Sequence, residues 1–198
     1  MNIKLEKYDP KKHDKHLIAD LIFKADEEMN SLVYGKDPIE VIVKLLEIGD
    51  NYFDPSNTHL AINQGEIVGV IVGFPVKQKS EMDKISGKAF TKAMGIFTVL
   101  KKMPLFLKMD KIVAGDMDDD GFYIHTISVS PDHQREGIGT QMIEKFAERY
   151  GKLYLHVNTK NPQAINFYKK NGFEEKFRGK VKYKGKYLSE CLMERSVK

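Results

Sequence analysis

The sequence has almost no cysteine, since Cys191 is the only one among 198 residues. An internal disulfide needs two cysteines, so the small disulfide-stapled class of proteins is excluded. A lone cysteine fits a reducing compartment, and we expect Cys191 to be a small buried apolar residue rather than a nucleophile. It offers no second thiol for a metal site, and the histidines at positions 13, 16, 59 and 133 form no metal set, so we expect no metal.

The sequence also lacks any apolar run of about 18 residues, the length that a transmembrane helix requires. Its first residues, MNIKLEKYDPKKHDKH, include no apolar segment of the kind found in signal peptides. We therefore expect a soluble, cytoplasmic protein with no membrane partner. A chain of 198 residues, of which 41% are hydrophobic, is long enough to bury one sizeable core. We therefore predict one domain over residues 1–198.

Excess charge is small, because 32 Lys and Arg oppose 28 Asp and Glu. The positive excess lies near the end, where the segment 176–187, KFRGKVKYKGKY, has a basic residue at every even position and Val181 and Tyr187 among the odd ones. This spacing predicts a strand with one basic face and a turn at Lys184-Gly185. The face is either a solvated sheet edge or a surface for an anionic cofactor or acidic substrate. No nucleic-acid-binding motif accompanies the charge, so we expect no nucleic acid partner.

The hydrophobic pattern predicts strands that alternate with helices, which indicates an α/β protein with a mixed sheet. The first helical stretch follows Asp9-Pro10, and a second helix begins at Pro38. The predicted apolar face of the first helix consists of Leu17, Ile18, Leu21 and Ile22. Gln64-Gly65 is a two-residue hairpin signal between strands 59–63 and 66–74. The remaining predicted strands are 2–8, 122–129 and 153–157, with helices at 138–150 and 162–170 and the basic hairpin at the end.

Residues 79–114 interrupt this alternation and are predicted to be a helical insertion between strands 3 and 4. Two amphipathic pieces are expected to meet at Pro104, because proline disfavours a continuous helix. The insertion carries a stripe of methionines and aromatic residues, which include Met82, Met94, Met103, Met109, Phe97 and Phe106. The stripe is either core, a lid over a substrate site, or a partner surface that makes a homodimer.

A short polar loop with two glycines joins the strand 122–129 to the helix 138–150. The loop reads DHQREGIGT from Asp132 to Thr140, with Gly137 and Gly139 at the start of the helix. Glycine leaves the backbone accessible to a ligand, and the first amides of a helix have no partner within the helix. Such amides bind anions, so the loop predicts an anion-binding site.

Two motifs in the second half of the chain resemble the GCN5-related N-acetyltransferases (GNAT superfamily). One is ISVSPDHQREGIG, with Gln134, Gly137 and Gly139 at the defining places. The other is NPQAINFYKKNGF, from Asn161 to Phe173. Together they cover residues 122–173, the segment that the resemblance identifies as the acetyl-CoA-binding core. The resemblance implies a GNAT-like acyl-CoA N-acyltransferase fold, with acetyl-CoA as cosubstrate.

The resemblance also implies which residues bind acetyl-CoA. The pyrophosphate is expected on the loop and the first helical turn, at Gln134, Arg135, Gly137, Ile138, Gly139 and Thr140. The pantetheine arm is expected between strands 122–129 and 153–157, paired with the backbone of Ile127 and Val129. The Val129 N–H is expected to donate to the thioester oxygen. Asn161 is expected to cap the helix that follows and to contact the arm.

Tyr168 is the residue that the family pattern indicates as the general acid for the departing CoA thiolate, with ordinary packing beside Phe167 as the alternative. The familiar glutamate base is absent from both strands that border the cleft. We expect His156 or His125 to take the proton of the amine, with deprotonation by solvent or by a distant carboxylate such as Glu28 as alternatives. Each histidine is also compatible with a purely structural place in its strand.

We therefore expect an enzyme that transfers acetyl from acetyl-CoA to a primary amine by direct attack. Its acceptor pocket is expected from residues 10–50 and the insertion. A polyamine, an amino sugar, an amino acid and a protein N-terminus all fit this chemistry. The acidic cluster of Asp26, Glu27 and Glu28 either attracts a cationic acceptor or is a solvated surface. The alternatives are a catalytically weak acyl-CoA-binding regulator and an interaction module on the same fold.

Overall fold

A seven-stranded mixed sheet runs through the protein in the computed structural model, which describes residues 2–196. The strands are β1 (Lys4–Lys7), β2 (Thr58–Asn63), β3 (Glu66–Pro75), β4 (Phe122–Val129), β5 (Lys152–Asn158), β6 (Glu174–Tyr183) and β7 (Lys186–Ser196). Their spatial order is β1-β2-β3-β4-β5-β7-β6, and neighbours are antiparallel except for β4 and β5. The predicted α/β fold class and mixed sheet are confirmed.

Seven α-helices are present in the described residues. They are α1 (Lys15–Ala25), α2 (Glu27–Tyr34), α3 (Pro38–Ile48), α4 (Lys79–Met94), α5 (Ile96–Ile112), α6 (Ile138–Tyr150) and α7 (Pro162–Lys170). Short 3₁₀ turns occur at Val76–Gln78 and Pro131–His133. Within this part of the chain, no helix has the length and apolar character needed to cross a membrane.

The two faces of the sheet are covered by different helices. One face packs α6 through Met142, Ile143 and Phe146 against strand residues such as Ile71 and Leu153. The other face packs α1 and α3 against β2 and β3. On α1 the predicted apolar face is only partly right, because Ile18, Leu21 and Ile22 are buried but Leu17 is 39% exposed. Leu17 belongs to the first turn, at the edge of the apolar stripe, where the core no longer covers it.

The helix α2 was not predicted as a separate element. Asp26 ends α1 and caps α2 by accepting from the Met29 N–H over 3.0 Å. Aspartate at such a break is a favoured N-cap, because its carboxylate satisfies an amide that the helix leaves free. Residues 26–28 therefore mark the start of α2, whereas the sequence pattern placed them at the end of the first helical stretch.

The insertion consists of α4 and α5, but its break is at Gly95 and not at Pro104 as predicted. Gly95 has a φ of +82°, which ends α4, whereas Pro104 lies inside α5. A proline removes one hydrogen bond from a helix, and here the packing of both halves of α5 maintains it. Leu105 and Ile112 are buried with Leu188 of β7. This part of the insertion is core, while Phe97 is 78% exposed.

The basic hairpin has the predicted strands and turn, with Lys184 and Gly185 at φ values of +45° and +82°. The lysines at even positions of β6 are exposed, and β6 is an edge strand of the sheet. The alternation in the sequence predicted Tyr187 on the face opposite the basic residues, and this prediction is wrong. It belongs to β7 opposite Lys182, so it shares the basic face, where the Lys180 Nζ lies 4.3 Å from its ring centroid.

Candidate active site

A cleft opens where the two parallel strands β4 and β5 separate. The strands pair only from Phe122 opposite Leu153 to Ile124 opposite Leu155, and beyond this point β4 continues to Val129 without β5. The β5 strand instead follows β7 along its whole length. The backbone of β4 from residue 125 onward therefore borders a gap in the sheet.

The backbone groups of Ile127 and Val129 point into this cleft. In an antiparallel ladder, residue pairs that exchange hydrogen bonds alternate with pairs whose N–H and C=O face outward. The Ser130 N–H donates to the Val68 carbonyl of β3 over 2.9 Å. Val129 and Ile127 therefore fall at the outward positions of the ladder. The Gln134 side chain donates to the Val129 carbonyl over 3.4 Å, which fits this direction.

The loop after β4 leads into the N-terminus of α6, which has no side-chain cap. The first bond of the helix runs from the Gln141 N–H to the Gly137 carbonyl, so the amides of Ile138, Gly139 and Thr140 have no partner in the helix ladder. Ile138 is buried as a whole residue, whereas Gly139 and Thr140 are partly exposed. Free amides and the helix dipole at this end favour an anion.

The two glycines of the loop have different structural reasons. Gly137 has a φ of +80°, and a Cβ at this position meets no atom within 4 Å. A Cβ at Gly139 lies 2.9 Å from the Phe167 ring, so glycine there allows α6 and α7 to pack closely. Gly137 gives the loop its path, and Gly139 gives the helices their contact. Arg135 precedes them with an exposed side chain and a φ of +68°.

The helix α7 borders the far side of the cleft. Asn161 caps it by accepting from the Ala164 N–H over 2.9 Å, so its predicted capping role is confirmed. Tyr168 is half-buried against Phe167 and Phe173, with ring centroids at 5.3 and 5.6 Å. Its hydroxyl makes no hydrogen bond with residues 2–196, and burial raises the pKa of Tyr168. The phenol therefore carries its proton at neutral pH.

A cavity of about 630 Å³ adjoins the open end of the cleft. It brings together the predicted catalytic residues Tyr168, His156 and His125 with Ile127 and Asn161. Val129 and the loop residues 134–140 lie outside its lining. The remaining walls come from α2, α4 and α5, together with the strand ends, so residues of both predicted pocket segments meet here.

His156 uses both ring nitrogens in hydrogen bonds. Its Nε2 lies 3.4 Å from the Ala114 carbonyl, which only accepts, so Nε2 carries the proton. Its Nδ1 then accepts from the Tyr123 hydroxyl over 3.0 Å. Burial lowers the pKa of His156 to about 4, so the ring is neutral at pH 7.

His125 is held by stacking rather than by two polar partners. Its ring lies on that of Tyr52 at 4.3 Å between centroids, and its Nδ1 is 2.9 Å from the Thr126 hydroxyl. Its Nε2 makes no hydrogen bond within the described part of the chain. Burial lowers the pKa of His125 to about 4. His125 thus has a free ring nitrogen, and His156 has none.

The sequence reasoning missed Glu190, which is only 7% exposed and lines the cavity. Burial, followed by the charge of Asp26, raises the pKa of Glu190 to about 8. A signal was present in the run YLSECLM, because alternation puts Glu190 on the same face as the apolar Leu188 and Leu192. A carboxylate at an apolar position of a strand marks a site that needs an explanation.

Most of the other acidic candidates and the only thiol candidate lie outside the cavity lining. Glu28 is at the surface, where the Lys160 Nζ approaches its Oε1 to 2.9 Å. Of the acidic cluster, only Asp26 lines the cavity. Cys191 is fully buried on the opposite face of β7, and burial raises the pKa of its thiol to about 12. Its predicted place as a buried residue is confirmed.

Known proteins are similar to this chain in sequence. The model of the acetyltransferase (GNAT) family matches residues 22–173. The chain is similar to an uncharacterized N-acetyltransferase of Methanocaldococcus jannaschii, with 47% identity over 58 residues that cover 27% of this chain and 26% of that protein. It is similar to the probable N-acetyltransferase san of Drosophila melanogaster, with 47% identity over 58 residues that cover 26% of this chain and 32% of that protein. The matched part is thus about a quarter to a third of the length of these relatives.

Solved structures share the fold over nearly the whole chain. An N-acetyltransferase from Staphylococcus aureus has a TM-score of 0.69 at 17% identity, covering 96% of this chain and 99% of that one. A GNAT family acetyltransferase from Elizabethkingia anophelis with acetyl-CoA bound has a TM-score of 0.55 at 16% identity, covering 99% of both. At these identities the likeness establishes the fold.

Proposed function

Because the chain belongs to the GNAT family of acetyltransferases, we propose that it transfers acetyl from acetyl-CoA to a primary amine by direct attack on the thioester. One observation carries the proposal. The outward backbone of β4 and the uncapped N-terminus of α6 border one cleft, and this cleft opens into a cavity that contains Tyr168 and two neutral histidines. Bound acetyl-CoA supplies the activated acyl group and a thiolate leaving group.

The residues that border the cleft fit the parts of acetyl-CoA. The amides of Ile138, Gly139 and Thr140 suit the pyrophosphate, because the helix dipole and free N–H groups favour negative charge there. The outward N–H and C=O groups of Ile127 and Val129 suit the amide-containing pantetheine arm, which pairs as a further strand.

A backbone amide of β4 is suited to stabilise the negative charge that develops on the thioester oxygen. The cavity lining favours Ile127 over Val129 for this role, since Ile127 reaches the cavity and Val129 does not. Val129 then binds the arm one step further from the reacting carbon. Removal of one such donor typically costs about 2.7 to 4 kcal/mol in the transition state.

Tyr168 acts as the general acid that protonates the departing thiolate. Its raised pKa keeps the phenol protonated, and its free hydroxyl has a proton to donate. The neighbouring rings of Phe167 and Phe173 hold it in one orientation. Packing and catalysis are both served by this one side chain.

His125 and His156 offer two routes for the proton that the amine loses. The Nε2 of His125 can accept it directly when Nδ1 carries the ring proton and donates to the Thr126 hydroxyl, whereas His156 can accept it only through the Tyr123 hydroxyl that already donates to its Nδ1. Substitution of Tyr123 by Phe separates the two, because it breaks the second route and leaves His125 in place. A pH–rate profile that keeps its acidic limb in Tyr123→Phe and loses it in His125→Ala assigns the direct route.

The function is tested by calorimetric titration with acetyl-CoA, followed in the same sample by release of CoA thiol against a panel of primary amines. We expect binding and amine-dependent thiol release. Binding with no release from any amine contradicts the transferase and favours the acyl-CoA-binding regulator. No binding at all contradicts the assignment of the cleft and leaves the interaction module.

A further inference from the structure

One wall of the cavity is apolar. Its side chains come mainly from the insertion, and they are Phe90, Ile96, Val99, Leu100, Met103 and Phe106. Along α5 the positions 96, 100 and 103 recur at helical spacing and are continued at the surface by Leu107. Ile96 and Leu100 are about half exposed, so the apolar wall runs from the cavity interior to solvent. The wall is therefore an apolar surface that an apolar group can reach from solvent.

Glu190 lies in the same cavity, and it is unpartnered. Its side chain is more than nine-tenths buried, and it makes no hydrogen bond or ion pair with any residue from 2 to 196. A buried carboxylate without a partner is unfavourable, and the cost is relieved by a bound cation or by protonation. Burial raises the pKa of Glu190 to about 8, so at neutral pH this carboxyl holds a proton that a cationic ligand in the cavity can replace.

Asp26 adds a second carboxylate beside Glu190. Its Oδ2 accepts from the Asn158 side chain over 3.1 Å, and Asn158 is directly opposite Glu190 in the ladder of β5 and β7. Its Oδ1 caps α2, so the carboxylate is held in a fixed position. Two carboxylates of separate elements thus line the same part of the cavity, close enough that the charge of Asp26 helps to raise the pKa of Glu190.

The remaining charges of the lining do not neutralise this pair. The Lys79 Nζ is already paired with Asp83 over 2.9 Å. Both residues line the cavity, and their exclusion leaves Asp26 and Asp110 as its unbalanced charges at neutral pH, with the two histidines neutral and with Glu190 able to ionise when a cation binds beside it. A cavity with excess negative charge at one place and an apolar wall beside it suits a ligand that has both characters.

We propose that the acetyl acceptor is a primary amine with an apolar body, whose ammonium group binds Asp26 and Glu190 and whose body lies along the apolar wall of α4 and α5. The inference rests on the proposed function and narrows its substrate class. A polyamine is disfavoured because its second cation must lie on the apolar wall, and an amino sugar because its hydroxyls find no partners there. A free alkylamine and a peptide with an apolar N-terminal residue share the required chemistry.

The test is kcat/KM for butylamine, hexylamine and octylamine, with 1,8-diaminooctane as the matched control of the same length. We expect an increase of about two- to fourfold for each added CH₂ that the wall buries. We expect the diamine to fall at least tenfold below octylamine. A tetrapeptide that begins Leu-Leu, compared with one that begins Gly-Ser, shows whether the source is a peptide or a free amine.

Substitutions test which residues bind the ammonium group and which contact the apolar body. Glu190→Gln and Asp26→Asn keep the side-chain shape, and each is expected to raise KM for octylamine about tenfold while the Kd of acetyl-CoA stays within twofold. The control is Glu28→Gln, since Glu28 lies on α2 outside the cavity. Leu100→Ser is expected to flatten the alkylamine series, and Phe97→Ser, on the same helix but outside the cavity lining, is expected to leave the slope unchanged.

The outcomes separate the two proposals. Thiol release that is as fast with spermidine or glucosamine as with octylamine and the Leu-Leu peptide overturns the inference and leaves the transferase intact. An unchanged KM in both carboxylate variants also overturns it. Acetyl-CoA binding with no thiol release from any of these amines overturns the proposed function, and the acceptor class with it.

Discussion

Gly137 and Gly139 stand two residues apart in the same loop, yet the structure requires glycine at each for a different reason. Gly137 needs a left-handed backbone, whereas Gly139 leaves room for the Phe167 ring. The sequence predicted both as places where a ligand approaches the backbone. That interpretation remains a proposal for the amides, but for the Cβ of Gly139 the nearest neighbour is a side chain of α7. A motif identifies the position of a glycine and not the structural reason that requires glycine there.

At the residue scale, Tyr168→Phe tests the general acid. We expect turnover to fall about 10²- to 10⁴-fold, because the thiolate loses its proton donor. The Kd of acetyl-CoA is expected to change little, since the ring and its packing remain. Calorimetry and steady-state kinetics on one preparation measure both quantities.

Tyr150→Phe is the matched control for this substitution. Tyr150 stacks on Phe122 at 4.0 Å and lies outside the cavity lining, so loss of its hydroxyl should leave turnover near the wild-type value. Turnover that is equal in Tyr168→Phe and Tyr150→Phe removes the acid assignment.

At the element scale, the divergence of β4 and β5 creates the cleft, and it has a simple cause. The β5 strand is seven residues long, and β7 pairs with all of them, while β3 holds β4 up to Val129. The two halves of the sheet thus follow different partners beyond residue 124. The helices α6 and α7 start on either side of the gap, which brings an anion-binding helix end and a tyrosine to one cleft.

Gly137→Val tests the helix terminus as the pyrophosphate site. A Val side chain beside the free amides is expected to weaken acetyl-CoA binding about tenfold or more, measured as a calorimetric Kd. The substitution also strains the backbone, because φ is +80° at this position.

Gly185→Val controls for that strain. Gly185 has a φ of +82° and the same open surroundings, but it lies in the β6–β7 turn. Both variants are expected to lose similar stability, measured by thermal unfolding, and only Gly137→Val should lose affinity. Equal Kd values in the two folded variants contradict the loop assignment.

At the scale of the whole molecule, Glu190 links function to stability. The pKa of this carboxyl is raised from 4.5 to about 8 in the folded state. An acid with a raised pKa favours the fold fully below its unfolded pKa, and that contribution is lost as the pH rises through its folded pKa. The cost of burying Glu190 therefore develops between about pH 4.5 and pH 8.

Glu190→Gln removes this dependence. The free energy of unfolding of the variant minus that of the wild type is expected to be larger at pH 9 than at pH 5, by on the order of 4 kcal/mol. Urea unfolding of both proteins at the two pH values measures the difference, in which the contributions of His125 and His156 cancel. A gain that is equal at pH 5 and pH 9 contradicts the buried, unpartnered carboxylate.

The exposed face of α5 bears on assembly as well as on substrate binding. Phe97 and Leu107 lie outside the cavity lining and are more than half exposed, so a homodimer through this face remains a prediction, as does a cytoplasmic location. Phe106 is partly buried against the core and is not part of such a surface. Light scattering over a range of concentrations, with Phe97→Ser for comparison, measures the oligomeric state.

The sequence by itself determined the mixed α/β fold, the glycine loop, the Asn161 cap and the presence of Tyr168 in the cleft, because these depend on local backbone preferences and short motifs. It placed the helix break at Pro104 rather than Gly95, since tertiary packing decides whether a helix continues through a proline. Only the tertiary structure brought Asp26 and Glu190 together, 164 positions apart in the sequence. The burial of Glu190 and its proximity to Asp26 arise only when distant elements pack together, and no local sequence pattern encodes them.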